Sequence, residues 1–210
     1  MTNSIGARKG HTPVKTSKII CLLIFALSCS HVHAQQQQPQ RAFFEPIEPR
    51  TRLEALQLKI GAVIVRGSQR VGTVRNPASG RIEVAALEVI DTGSNQRARG
   101  LSLSIEEAGE RGREAVVFVD YEELARLMES LESMSRLDRG ETQLPNFEVS
   151  YRTKGDLIVS VFSTRSGIVR CVVSGGPYTP AAVSFPAEEV GNLRALIATA
   201  KNRLDETRPK

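Results

Sequence analysis

Phe147, Val149 and Tyr151 alternate with Glu148, Ser150 and Arg152, a period of two that fits a half-buried β-strand and no helix. Three further apolar segments follow, Leu157 to Phe162, Ile168 to Val173 and Ala181 to Phe185. Turn-forming stretches separate them: Lys154-Gly155-Asp156, Ser163 to Gly167 and Ser174 to Pro180. Pro186 then opens a segment through Leu204 in which Val190, Leu193, Ile197, Ala200 and Leu204 recur at helical spacing. The order is four strands and a helix. Short connections make the strands antiparallel neighbours, and the apolar face of such a meander has to be covered.

The first half reads in the same way. Ile60 to Val65, Arg70 to Val74, Arg81 to Ile90, Ala98 to Ile105 and Arg113 to Val119 are candidate strands. Asp120 with Glu123 fits a capping box for a helix from Tyr121 to about Arg136, with Leu124, Leu127, Leu131 and Met134 as its apolar stripe. At an offset of 66 residues Ala115, Val117, Glu122, Glu123 and Leu127 meet Ala181, Val183, Glu188, Glu189 and Leu193, as an internal duplication would give. The predicted fold is therefore α+β, with two antiparallel meander-plus-helix units at residues 51–140 and 141–210, each sheet covered by its own C-terminal helix. This order resembles that of Whirly and related single-stranded-DNA-binding proteins. The resemblance is one of element order and covers no motif, so it implies a fold and carries no function by itself.

Residues 1–34 stand apart. Arg8, Lys9, Lys15 and Lys18 precede the apolar run Ile19 to Cys29, and Val32-His33-Ala34 precedes a glutamine tract. A basic segment, a short apolar core and small residues before a cut predict a secretory signal peptide cleaved near Ala34, with a periplasmic or extracellular destination. The apolar run is shorter than the roughly 18 to 20 residues a spanning helix needs, and no comparable run follows. Residues 35–50, rich in Gln and Pro, read as an extended leader.

Setting the first 34 residues aside changes the charge and the chemistry. The formal net charge of +5 falls to +1, because no acid lies among them. Nothing global then argues for nucleic acid or an anionic membrane as partner. His11, His31 and His33 also lie there, as do Cys21 and Cys29. What remains has no imidazole for a Ser-His-Asp triad, a Cys-His pair or a His-bearing zinc site. Cys171, within the apolar run Ile168 to Val173, reads as a small buried thiol.

One stretch looks like chemistry. Val89-Ile90 followed by Asp91-Thr92-Gly93-Ser94 resembles the active-site loop of pepsin-like and retroviral aspartic proteases. The resemblance would make Asp91 the catalytic carboxylate. Because that mechanism shares one proton between two aspartates and this chain has one Asp-Thr-Gly, it implies a homodimer with one loop from each subunit. The chain departs from the family's second motif: Val172-Val173-Ser174-Gly175 inserts a serine, and Leu58-Lys59-Ile60-Gly61 precedes the loop. The other reading, which we favour, is a hairpin turn, where Gly supplies positive φ and Asp and Asn bond their own backbone.

Arg152, Lys154, Arg165 and Arg170 fall on neighbouring strands and turns, close in sequence to Tyr151 and Phe162, and form the candidate ligand-binding set for an anionic partner. Charged residues that protect a solvated sheet would read the same way. The doublets Glu106-Glu107, Glu122-Glu123 and Glu188-Glu189 invite metal ligation, but acids in a first helical turn complement the dipole, and no metal or other cofactor is expected. The expectation is an exported, non-enzymatic binding or interaction module whose partner is a protein or an anionic ligand and whose oligomeric state is open. The alternative is the dimeric protease using Asp91.

Overall fold

In a computed structural model of the protein, residues 48–136, 142, 144, 146–177 and 179–207 are described. All belong to one unit, Ile47–Lys210. Residues 1–34, which read as a signal peptide, and most of the Gln/Pro-rich stretch 35–50 lie outside the described residues. The elements are α1 (Arg52–Gln57), β1 (Ile64–Asn76), β2 (Gly80–Asp91), β3 (Gln96–Glu107) and β4 (Glu114–Asp120), then a 3-10 turn (Tyr121–Glu123) leading into α2 (Leu124–Arg136). After these come β5 (Glu148–Arg152), β6 (Ile158–Ser163), β7 (Val169–Gly175), β8 (Ala181–Pro186) and α3 (Glu189–Glu206). Each set of four strands forms its own antiparallel sheet in sequential order, and each is followed by a helix. The fold is thus α+β with two similar units.

Alternation decides which residues enter the core. On β3 and β4 the side chains of Leu101, Leu103, Ile105, Ala115, Val117 and Val119 point inward, and on β6 to β8 those of Val159, Val161, Cys171, Val173, Val183 and Phe185 do. These residues join the buried stripes of α2 and α3 in one cluster, so both sheets share a core. The stripes are the ones the spacing predicts: Leu124, Leu127, Leu131 and Met134, then Val190, Leu193, Ile197, Ala200 and Leu204. A fully buried Leu contributes roughly 1.5–3 kcal/mol, so such a stripe outweighs modest helix propensity.

Besides Pro186, which ends β8 while α3 begins at Glu189, four features depart from the expectation. The helices are exchanged: α3 lies against β1, β2 and β3 of the first sheet, while α2 runs beside α3 and reaches β5. Close approach permits this, since a Cβ added at Gly72 on β1 would sit 2.5 Å from Leu196 of α3. Next, the two segments expected at 60–65 and 70–74 are one strand of 13 residues, with a register shift between Arg70 and Gly72. Its polar middle is exposed edge strand, which needs no alternation.

Third, α1 is an additional helix, closed by a capping box in which Thr51 Oγ1 accepts from the Glu54 amide (3.1 Å) while Glu54 accepts from the Thr51 amide. It buries Leu53 and Leu56 on the second face of sheet 1, against Leu87, Val89 and Ala98. Finally, Asp120 makes no side-chain cap to the helix that follows it. Its carboxylate instead accepts from the amides of Arg52 (2.8 Å) and Leu53 (3.2 Å) at the start of α1.

Candidate functional site

Asp91 ends β2 and pairs with Gln96 across the hairpin. Its Oδ1 accepts from the amides of Gly93 (2.9 Å) and Ser94 (3.4 Å), and its Oδ2 accepts from Ser94 Oγ (2.6 Å) and from the Lys59 ammonium. Only 1% of Asp91 is exposed, whereas Thr92 to Gln96 are exposed. The Lys59 ammonium, then the Ser94 hydroxyl, hold the carboxyl well below the usual carboxylate range. The left-handed residue of the turn is Asn95 (φ 55°) rather than Gly93. Asn tolerates that region because its short polar side chain bonds locally.

The four basic candidates divide into two pairs. Register on sheet 2 sets Arg152 against Ile158 and Arg170 against Phe162, with both arginines on the outward face. Ile158 and Phe162 are four residues apart on β6, about 13 Å at the usual strand rise, and β5 and β7 are two strand spacings apart, close to 10 Å. The two guanidinium stems therefore start roughly 16 Å from each other. Lys154 lies in the β5–β6 turn beside Arg152, and Arg165 in the β6–β7 turn at the Arg170 end. Arg152 pairs with Asp156 (3.2 Å), and Arg170 Nε donates to Ser184 Oγ (2.9 Å).

The aromatic neighbours separate as well. Phe162 shares the outward face and the cross-strand row Glu148–Phe162–Arg170–Pro186. Tyr151 turns the other way, packing against the core, where burial pushes its phenol up. The rest of the outward face is Ile158 and Val172 with the smaller Ser150, Ser160, Ser174, Ala182 and Ser184. Glu148 is the one acid on its strands.

A cleft of about 620 Å³ adjoins the Arg152 end, lined by Glu122, Glu123, Arg126, Tyr151, Arg152 and Lys154 among others. Glu123 Oε1 accepts from the Lys154 amide (3.1 Å), tying the 3-10 turn to the β5–β6 turn. Arg126 lies on α2 and was no part of the sequence-derived set. Only the packing of α2 beside β5 brings it to Lys154, and no local pattern signals that.

The glutamate doublets are occupied with structure. Glu106 pairs with Arg81 (2.6 Å) and Glu107 with Arg113 (2.6 Å), while Glu122 meets Arg52 (2.8 Å). Glu189 accepts from Asn192 (2.8 Å). Among the described residues no three His, Cys, Asp or Glu side chains converge to hold a metal ion. Nor is any helix among them long and apolar enough to cross a membrane. Set against known proteins, the chain matches no family model and no curated protein.

Proposed function

We propose that this protein is an exported, non-catalytic binding module that holds an extended anionic ligand against the outward face of sheet 2. The observation that carries the reading is the shared outward direction of Arg152 and Arg170, on a face that also presents the hydroxyls of Ser150, Ser160, Ser174 and Ser184 and a single acid, Glu148. Two cations on stems that start roughly 16 Å apart suit a chain-like polyanion better than one small anion. Lys154 and Arg165 extend the positive strip beyond both ends, and Phe162 offers an apolar surface between. Hydroxyls at Ser150, Ser160 and Ser174 add short-range donors without bulk.

The surroundings of Asp91 support a structural rather than a catalytic role for that carboxylate. A proton-sharing dyad needs an aspartate poised to be protonated, and Asp91 is held ionised by an ammonium, a hydroxyl and two amides.

Titration with fluorescently labelled polyphosphate, dextran sulfate and polygalacturonate tests the proposal. We expect binding to at least one, weakened tenfold or more in an Arg152→Glu/Arg170→Glu variant and falling with added salt. Equal affinity of the variant, or no binding to any of the three, would refute it. A single-stranded oligonucleotide in the same assay shows whether nucleic acid competes for the face.

A further inference from the structure

Among the described residues β1 is the longest strand, and it pairs on one side only, with β2. Val65 to Arg70 are all exposed, and a Cβ added at Gly67 would meet nothing within 4 Å. The contrast with β8 is direct. That edge strand is closed by side chains from sheet 1: the Ala182 amide donates to Glu107 (2.9 Å), the Ser184 amide to Ser79 Oγ (2.8 Å), and Asn76 Nδ2 donates to the Ser184 carbonyl (2.6 Å).

The charge on β1 has one sign. Arg66, Arg70 and Arg75 are its ionisable residues, no acid occurs in the strand, and Arg70, 60% exposed at its side chain, also pairs with Glu83 of β2 (3.0 Å). Register places Arg66 opposite Val89 and Arg70 opposite Ala85, an even spacing that sets both on one face of the sheet, with Ser68 between them opposite Leu87. Val65, 49% exposed, faces the other way.

A second copy of this chain added antiparallel about Ser68 would set Arg66 against Arg70 and Arg70 against Arg66. Like charges directly opposite disfavour that pairing. An acidic strand meets the opposite situation, so the arginines block self-association and select the partner at once. We infer that β1 is a docking edge for an extended acidic peptide segment of another protein, which adds to sheet 1 as a fifth strand. Antiparallel register specifies its pattern: an acid opposite Arg70, a second acid four residues later opposite Arg66, and an apolar β-branched residue immediately after it, opposite Val65.

A ten-residue labelled peptide with Glu, Glu and Val at those positions is the probe, read by fluorescence anisotropy against the full chain. Binding is expected to weaken at least tenfold in an Arg66→Glu/Arg70→Glu variant, whose exposed substitutions leave the circular dichroism spectrum unchanged. It should stay the same in Arg152→Glu/Arg170→Glu, which lies on the other sheet. Two further peptides carry N-methyl groups on alternate amides. Because only every second amide of an added strand faces β1, one methylated set should abolish binding and the other should spare it. No binding, equal binding of both methylated sets, or equal binding of a scrambled acidic peptide would overturn strand addition. So would a dimer of the free protein in sedimentation that Arg66→Glu dissolves.

Discussion

Asp120 and Leu53, 67 positions apart, meet across a buried hydrogen bond in which the Leu53 amide donates to the Asp120 carboxylate (3.2 Å). Through this bond and its companion to Arg52, the last residue of β4 fastens α1 onto the second face of sheet 1. Replacing Asp120 with Ala removes the acceptor for two amides and should cost about 1–2 kcal/mol of stability. Urea denaturation with a constant slope would measure it. Asp120→Asn, which keeps an oxygen acceptor, should retain part of the loss.

Glu107 predicts how stability responds to acid. The Arg113 guanidinium first, then the amides of Ala182 and Arg113, pull its carboxyl down to about 2. A group lowered in the folded state stabilises above its unfolded value and loses that contribution as pH falls through the folded one. The melting temperature should therefore decline from about pH 4.3 toward pH 2. Glu107→Gln should flatten that limb and leave the neutral-pH dependence unchanged.

Asp91 carries the same sign and a functional consequence. Its partners are Lys59, Ser94 and the loop amides, so Asp91→Asn should lower the melting temperature at neutral pH and diminish the acid dependence. A peptide library incubated from acidic to neutral pH should show no cleavage that the substitution removes. Asp91-dependent products in mass spectrometry would make the loop catalytic.

Cys171 should be silent until the protein opens. It is 2% exposed, and burial pushes its thiol up to about 12, so little reactive thiolate exists at neutral pH. Under native conditions the peptide containing Cys171 should remain unlabelled by a thiol reagent over hours, and denaturant should release it at once. Prompt native labelling would contradict the packing of β7.

Gly175 marks where the sheets touch. An added Cβ would lie 2.6 Å from Val117 Cγ1 and 3.0 Å from the Asp156 carbonyl oxygen, so Gly175→Ala should destabilise by about 1–3 kcal/mol through overpacking. Gly191, around which nothing lies within 4 Å, is the control: Gly191→Ala should be neutral or mildly stabilising within α3.

Much of this architecture is legible in local pattern. The stripe from Leu124 to Met134 and the alternation of Val149 and Tyr151 with Ser150 and Arg152 arise from periods of 3.6 and 2, which any chain segment carries by itself. Where a segment is solvated on both faces the pattern fails, as in Arg66 to Gln69, which reads as a break between two strands although it lies within one. The six-residue α1 is too short to show a period, and the Thr51–Glu54 capping box is its local signal. The candidate site was legible as residue types. Its division into an Arg152–Lys154 end and an Arg165–Arg170 end required the strand register.

The sequence by itself determined the α+β class, the order of four strands and a helix in the second half, the strands-then-helix order of the first, and the side chains that α2 and α3 bury. Local periodicity and turn chemistry suffice for those. Only the tertiary structure decided that α3 covers the first sheet, that Asp120 caps α1 instead of the helix after it, and that Lys59 closes over Asp91. Such contacts join residues tens of positions apart, and which of many compatible surfaces meet is settled by packing of the whole core rather than by any segment.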